Sequence, residues 1–454
     1  MNLLITVAAF IFALGVLITI HELGHYFVAR WCGVKVLRFS LGFGTPLVCM
    51  RRGVDMTEWV IAAFPLGGYV KMLDEREGGV SAQDLPRAFN RQSVGKRILI
   101  VVAGPLANFL LAIALYWVVF VSGVPGVRPV IGGVLHDSAV ERAQLSTGDI
   151  ILKVGQTPVA TWEDARWHLL QAAVNRKPLS LEVQNLRDEI HWRNLDFSNM
   201  SAEALDGDFL RALGFGRLQP PLPPVIGRVV AGGSAERSGL LAGDRIIAVN
   251  GAALNRWDEF VALVAANPTQ SLALTIRRDQ QDVEITVTPD LISDKSGSIG
   301  RIGAAPRIDS AALQKYAVEV RYGYYESLDK ALQRTWETSA FSLRMLGKML
   351  TGEVSLKNLS GPITIADYAG QSAQVGWSSY MIFLALISIS LGVLNLLPVP
   401  LLDGGHLMYY MFEIIKGSPL SEKTMAVGQQ VGLAVMLVLM VFALYNDVTR
   451  LVNG

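Results

Sequence analysis

Four apolar stretches without a charge constrain this chain more than any other feature. Leu3 to Ile20 spans 18 residues, Ile98 to Val121 spans 24, Tyr380 to Leu397 spans 18 and Val427 to Tyr445 spans 19. A helix needs ~20 apolar residues to cross ~30 Å of hydrocarbon, so each stretch reads as a membrane span. Only 17% of the chain is charged and 51% is hydrophobic, which agrees. Nothing basic precedes the first stretch and no small-residue cleavage site follows it, so it reads as a retained span rather than a signal peptide. The net charge of +1 gives no basic footprint for nucleic acid. Two cysteines, Cys32 and Cys49, cannot build a disulfide framework and are expected as free thiols.

The basic residues beside the spans set the orientation. Arg30, Lys35, Arg38, Arg51, Arg52, Arg91, Lys96 and Arg97 all lie between the first two spans, which places that loop in the cytoplasm. The N-terminus is then outside. The second span exits, roughly 123–379 lies outside, the third re-enters, and the fourth leaves the C-terminus outside.

The external region repeats itself. Gly148-Asp149 matches Gly243-Asp244 and Trp162 matches Trp257, within similar runs from Pro129 and from Pro224. Each run has short β-rich pieces, a Gly-Asp turn before an apolar strand, and a helix-like segment after the tryptophan (166–174 and 260–266). A repeat this long implies two copies of one small domain. The pattern resembles PDZ domains, which bind extended peptides by strand addition. "SGLLAGDRIIAVNG" in the second copy fits well; the first has Gln144 where the second has Gly239. The alternative is that the copies only block or support. The proline-rich 217–224 reads as a stiff linker, and 294–303 as turn-rich. Residues 322–350 read as an amphipathic helix with Leu328, Leu332, Trp336, Leu343 and Leu350 on one face, packed on the external membrane surface or the repeats.

Chemistry concentrates at the inner end of the first span, in His21-Glu22-Leu23-Gly24-His25. Positions i and i+4 share a helical face, so two imidazoles there can grip one metal ion, with Glu22 beside them. Ionisable residues at membrane depth are functional by default. A catalytic zinc site usually has three protein ligands, so a further one is needed. "NLLPVPLLDGGH" (395–406) ends the third span on the same side. Pro398 and Pro400 forbid a regular helix there, and Gly404-Gly405 permit tight backbone. Asp403 is preferred over His406 because it completes a set of two histidines and one carboxylate. Residue types alone admit iron as well as zinc.

H-E-L-G-H in the first span, N-x-x-P-x-P-x-x-D-G in a late one and two PDZ-like inserts together resemble the site-2 protease family of intramembrane zinc metalloproteases. The resemblance covers nearly the whole chain and is strongest to the bacterial branch with tandem PDZ copies. It implies Zn2+ on His21, His25 and Asp403, with Glu22 as the catalytic base. "AGPLAN" (103–108) resembles a further family motif that places Asn108 near the core. "SLGFGTP" (40–46) and "FPLGGYVKM" (64–72) resemble the family's re-entrant β-hairpin. Gly42, Phe43 and Gly44 would pair with an extended substrate strand, with Gly67 and Gly68 allowing close approach. Asn395 would contact the substrate near the scissile bond. Substrates would be transmembrane proteins trimmed beforehand on their outer side, such as an anti-sigma factor, and remnant signal peptides. The tandem copies would exclude untrimmed substrates by size.

The expected fold is a polytopic α-helical membrane protein with four transmembrane helices, a cytoplasmic-side re-entrant β-hairpin and two external α/β PDZ-like domains. Its parts are a first helix carrying H-E-x-x-H (1–30), the β segment (31–96), a second helix (97–122), PDZ-like copies at 127–219 and 222–309, an external amphipathic helical segment (310–379), a third helix with the remaining ligand (380–410) and a fourth (426–446). The expected setting is the bacterial inner membrane, in contact with lipid. A metal transporter would share intramembrane His and Asp but would show repeated spans around a midplane site. A PDZ scaffold without chemistry would leave Glu22 and Asp403 without a use.

Overall fold

The computed structural model describes residues 3–198, 209–216, 222–294, 297–307, 315–355 and 359–453. They form two compact units. Residues up to Val124 and from Glu319 onward make one, and residues from Pro125 to Val318 the other.

The first unit holds four helices long and apolar enough to cross a membrane: Leu3–Trp31, Val94–Ser122, Trp377–Asn395 and Lys423–Arg450. Without a hydrophobic force between helices in lipid, close approach of small residues decides which helices touch. A Cβ on Gly24 would stand 2.8 Å from the Ala107 Cβ and from the Ala103 carbonyl carbon, so the first two helices cross tightly at the H-E-L-G-H motif. The third helix packs on the second through Ala112, Tyr116, Ala385, Ile389 and Val393, and the Ser388 hydroxyl donates to the Asn108 carbonyl at 2.7 Å. The fourth helix touches its neighbours at glycines. A Cβ on Gly432 would meet Pro400, and one on Gly428 the Tyr409 hydroxyl. At its far end, buried Asp447 accepts the N–H groups of Gly361, Ile363 and Thr364 at 2.9, 2.8 and 3.2 Å. It thereby caps helix Pro362–Val375 from another element.

Between the first two spans lie strands Val36–Arg52 and Thr57–Met72. Each folds back on itself, so that residues 38–41 pair with 68–71 on one side and 58–61 on the other. The base of this sheet packs on the first two spans through Tyr26, Ala29, Val36, Phe39 and Ile100. Cys32 and Cys49 are free.

Helix Tyr324–Leu350 carries the expected apolar stripe. Leu328, Leu332, Trp336, Leu343 and Leu350 do share a face, but that face is exposed. The helix buries Ser327, Ala331, Thr335 and Thr338 instead, with Ala331 against Ala112 and Tyr116 of the second span.

In the second unit the two copies repeat one topology. Each has a four-stranded sheet with matching strand order. The first uses Ile150–Val154, Thr157–Pro158, Leu179–Gln184 and Ile190–Leu195 with helix Trp162–Asn175. The second uses Arg245–Val249, Ala252–Ala253, Leu272–Arg278 and Gln281–Val287 with helix Trp257–Ala266. The shared aspartate has a shared job: Asp149 accepts the Ser146 N–H at 2.9 Å, and Asp244 the Leu241 N–H at 2.8 Å. Gly239 has φ +80° and Gln144 φ +57° at the matching place. The first copy thus holds a side chain in the left-handed region, where glycine is the low-cost residue. Residues 290–294 and 297–301 pair as antiparallel strands, the second of them within the stretch at 294–303 that reads as turn-rich. The linker expected at 217–224 lies largely outside the described residues.

Candidate metal centre

His21 and His25 follow one another on one face of the first span, one turn apart, with their rings edge to face at 4.8 Å. Pro398 and Pro400 end the third helix at Asn395, and the chain makes an irregular passage before helix Asp403–Lys416 begins. The passage is tight. Leu401 has φ +94°, and a Cβ on Gly404 or Gly405 would strike the passage's own carbonyls. Asp403 is thereby delivered, as the first residue of a helix, to the histidines. Its Oδ2 lies 3.2 Å from His21 Nε2 and 3.4 Å from His25 Nε2. The two Nε2 atoms are 3.2 Å apart.

Three acceptor-type atoms in a triangle of these edges fit one cation. Ligands ~2.0–2.1 Å from a tetrahedral zinc stand about 3.3–3.4 Å from each other. Asp403 Oδ2 is buried and has no hydrogen-bond donor, which is costly for a carboxylate oxygen unless a cation faces it. His25 Nδ1–H donates to the Ile100 carbonyl at 2.8 Å, so its Nε2 presents a lone pair to the triangle. The residues present therefore suit a zinc ion. His406, the rival ligand, lines the adjoining cavity but is not part of the triangle. A second cluster, His136, Asp137 and Glu141, is exposed and bonded within itself.

The triangle opens into a cavity of about 480 Å3, lined by Glu22, Gly67, Gly68, Tyr69, Asn108, Asn395 and Leu401 among others. Glu22 is buried. A Cβ on Gly68 would come within 3.0 Å of the Glu22 Cγ, so the strand edge lies against this carboxylate. Gly42 and Gly44, each at φ +90°, turn the corner of the sheet and do not line the cavity. Phe43 between them stacks on Tyr69 at 6.1 Å.

Some participants escaped the sequence reading. Gly104, one turn before Asn108, lets the second span approach both rings; a Cβ there would stand 2.6 Å from His25 Cε1 and 2.8 Å from His21 Cε1. Its signal was available, as the small residue heading the G-x-x-x-N stretch. The Ile100 carbonyl had none, because any residue has one.

The sequence profile described as Peptidase family M50 matches residues 9–439. The chain belongs to this family. A regulator of sigma E protease from Salmonella typhi is 42% identical over 451 residues, covering 99% of this chain and 100% of its own. The regulator of sigma-E protease RseP of Escherichia coli (strain K12) is 42% identical over 445 residues, covering 98% of each. A putative zinc metalloprotease of Neisseria meningitidis is 44% identical over 454 residues, covering 99% and 100%. Among solved structures, the PDZ domain of an SdrC-like protein from Listeria innocua aligns with 19% of this chain and 96% of its own at 20% identity, with a TM-score of 0.17. As an M50 member with four apolar helices, the protein is a multi-pass membrane protein and an intramembrane zinc metalloprotease.

Proposed function

We propose that this protease cuts within transmembrane segments of substrates already trimmed on their outer side, such as an anti-sigma factor, and within remnant signal peptides. The observation that carries the reading is the His21–His25–Asp403 triangle opening beside a strand edge. Anti-sigma-type substrates are favoured by full-length relatives named as regulators of sigma-E.

His21, His25 and Asp403 hold the zinc, which when bound supplies Lewis acidity toward water and the scissile carbonyl. Glu22 takes a proton from the attacking water and delivers it to the amine nitrogen as the C–N bond breaks. A helical peptide bond is shielded by its own hydrogen bonds, so the substrate segment must first unwind. Residues 67–72 support this step. Residues 68–72 pair with 36–41 on one side, Gly67, Gly68, Tyr69, Val70 and Met72 line the cavity, and among the described residues no strand covers that edge. An unwound segment added there keeps its backbone bonded at membrane depth. Gly67 and Gly68 let it approach, Gly42, Phe43 and Gly44 form the corner of the same sheet, and Asn395 meets the substrate near the cut. Pro398 and Pro400 shape the passage that presents Asp403.

The sheet re-enters from the cytoplasmic side of the bacterial inner membrane. Both termini and the two repeated domains are periplasmic. Those domains are PDZ-like, a reading supported by their shared topology and Gly-Asp turns, and they bar untrimmed substrates by size. The test uses purified protein in detergent with an anti-sigma-type transmembrane segment lacking its outer domain. The intact chain cleaves it; Glu22→Gln does not, yet retains its zinc. Equal cleavage by both would overturn the assignment of Glu22.

A further inference from the structure

The metal-facing nitrogen of an imidazole is chosen by what the other nitrogen bonds. For His25 the Ile100 carbonyl makes that choice. For His21 the neighbour is Asn108, whose Nδ2 is placed 3.3 Å from His21 Nδ1. An amide N–H aimed at Nδ1 would put the proton of a neutral His21 on Nε2. That is the atom 3.2 Å from both His25 Nε2 and Asp403 Oδ2, and a protonated Nε2 is no ligand. Meanwhile Asn108 Oδ1 is buried without a hydrogen-bond partner. The oxygen and nitrogen of an amide are assigned from their bonding alone. Turned over, Asn108 accepts the His21 Nδ1–H through Oδ1, and the Nε2 lone pair is free.

We infer that Asn108 is a positioning residue that fixes the tautomer of His21, holding the proton on Nδ1 so that Nε2 faces the zinc. The inference rests on His21, His25 and Asp403 being the ligands. Asn108 is built for the task. It is fully buried, and its carbonyl is tied to Ser388 of the third span at 2.7 Å. It sits one turn from Gly104, on the face of the second span that meets the rings. One helix thus supplies both outer partners, a backbone carbonyl for one ring and a side chain for the other.

Zinc affinity of the full chain in detergent, measured by chelator competition, tests this without reference to turnover. Asn108→Leu keeps the branched shape and heavy-atom count but offers no acceptor, and its affinity falls ~10–100-fold, as for loss of other partners of this kind. Asn108→Asp accepts the same proton and binds zinc close to wild type. A role in packing alone predicts the reverse order, because leucine leaves no buried polar group unpaired and aspartate buries a charge. Wild-type affinity in Asn108→Leu, or an Asn108→Asp that binds more weakly than Asn108→Leu, overturns the inference. If the leucine variant misfolds, a tenfold or greater loss in Asn108→Asp overturns it alone. His21→Ala stands as the control: wild-type affinity there would sink the ligand assignment itself.

Discussion

Gly104→Ala should separate zinc binding from folding. The added methyl would stand 2.6 Å from His25 Cε1, closer still to His25 Nε2, and 2.8 Å from His21 Cε1. Ordinary contact begins near 3.4 Å, so the His25 ring must retreat by at least about 0.8 Å at Cε1 and by more at Nε2. Zinc–ligand distances tolerate about ±0.2 Å, and a displacement near 1 Å in a preorganised site costs on the order of 10²-fold. That is roughly 3 kcal/mol of zinc affinity. The backbone responds in the opposite direction, because alanine in a helix is favoured over glycine by about 0.5–1 kcal/mol. The variant should therefore lose zinc at least ~100-fold more readily to a chelator, and turnover with it, while the metal-free protein melts only slightly lower, the ~1–3 kcal/mol cost of overpacking being partly offset by the helix gain. Stoichiometric zinc at wild-type affinity in Gly104→Ala would show that the rings do not lean on the second span, and the construction of the site given above would fail.

Gly68→Ala places a methyl 2.8 Å from the Ser40 carbonyl oxygen and 3.0 Å from the Glu22 Cγ. It should cut turnover with zinc retained, and unchanged turnover would detach the strand edge from catalysis. Arg97 pairs with Glu413 at 2.7 and 3.1 Å with both side chains nearly buried, and lies over the Tyr410 ring at 4.8 Å. Arg97→Leu should destabilise the first unit by ~3–5 kcal/mol by stranding Glu413, and the double change with Glu413→Leu should recover most of it in thermal melts. In the second copy, burial pushes the Asp244 carboxyl up, but the Arg278 guanidinium and the Leu241 N–H more than offset this, and its pKa lies below the usual value. A lowered folded pKa gives stability that is complete above the unfolded value of ~3.9 and is lost as pH falls through the folded one. The destabilisation caused by Arg278→Gln, followed by hydrogen exchange of 272–287, should therefore be largest near neutrality and shrink below pH ~4. A gap that does not change with pH would refute the coupling.

The spans, the repeat and the H-E-x-x-H motif were legible because each rests on a local pattern. Hydropathy over ~20 residues, an offset between two copies and a spacing of four are properties of the chain itself. Helix Tyr324–Leu350 shows what a local pattern leaves open: its apolar stripe is real, but the face packed on the second span is the one carrying Ala331. Likewise, the Gly-Asp turns are alike in both copies, yet Arg278 follows Arg277 on the strand paired to Arg245, where Asn185 follows Gln184 beside Ile150. Only one copy therefore pairs its aspartate with an arginine on that strand.

By itself the sequence determined which residue types were available for chemistry and that they gather at the ends of two apolar spans. Aligned charges and imidazoles in an apolar run have few uses, and that argument needs no coordinates. The tertiary structure decided which of Asp403 and His406 completes the triangle, since the irregular passage from Leu396 to Leu402 sets which side chain arrives. It also decided the outer partners, Ile100 and Asn108, which lie 75 and 87 residues from the rings they hold. A backbone carbonyl and a buried amide acquire a role only when two helices cross closely enough to bring them to a ring nitrogen, and that closeness is a property of the packed pair.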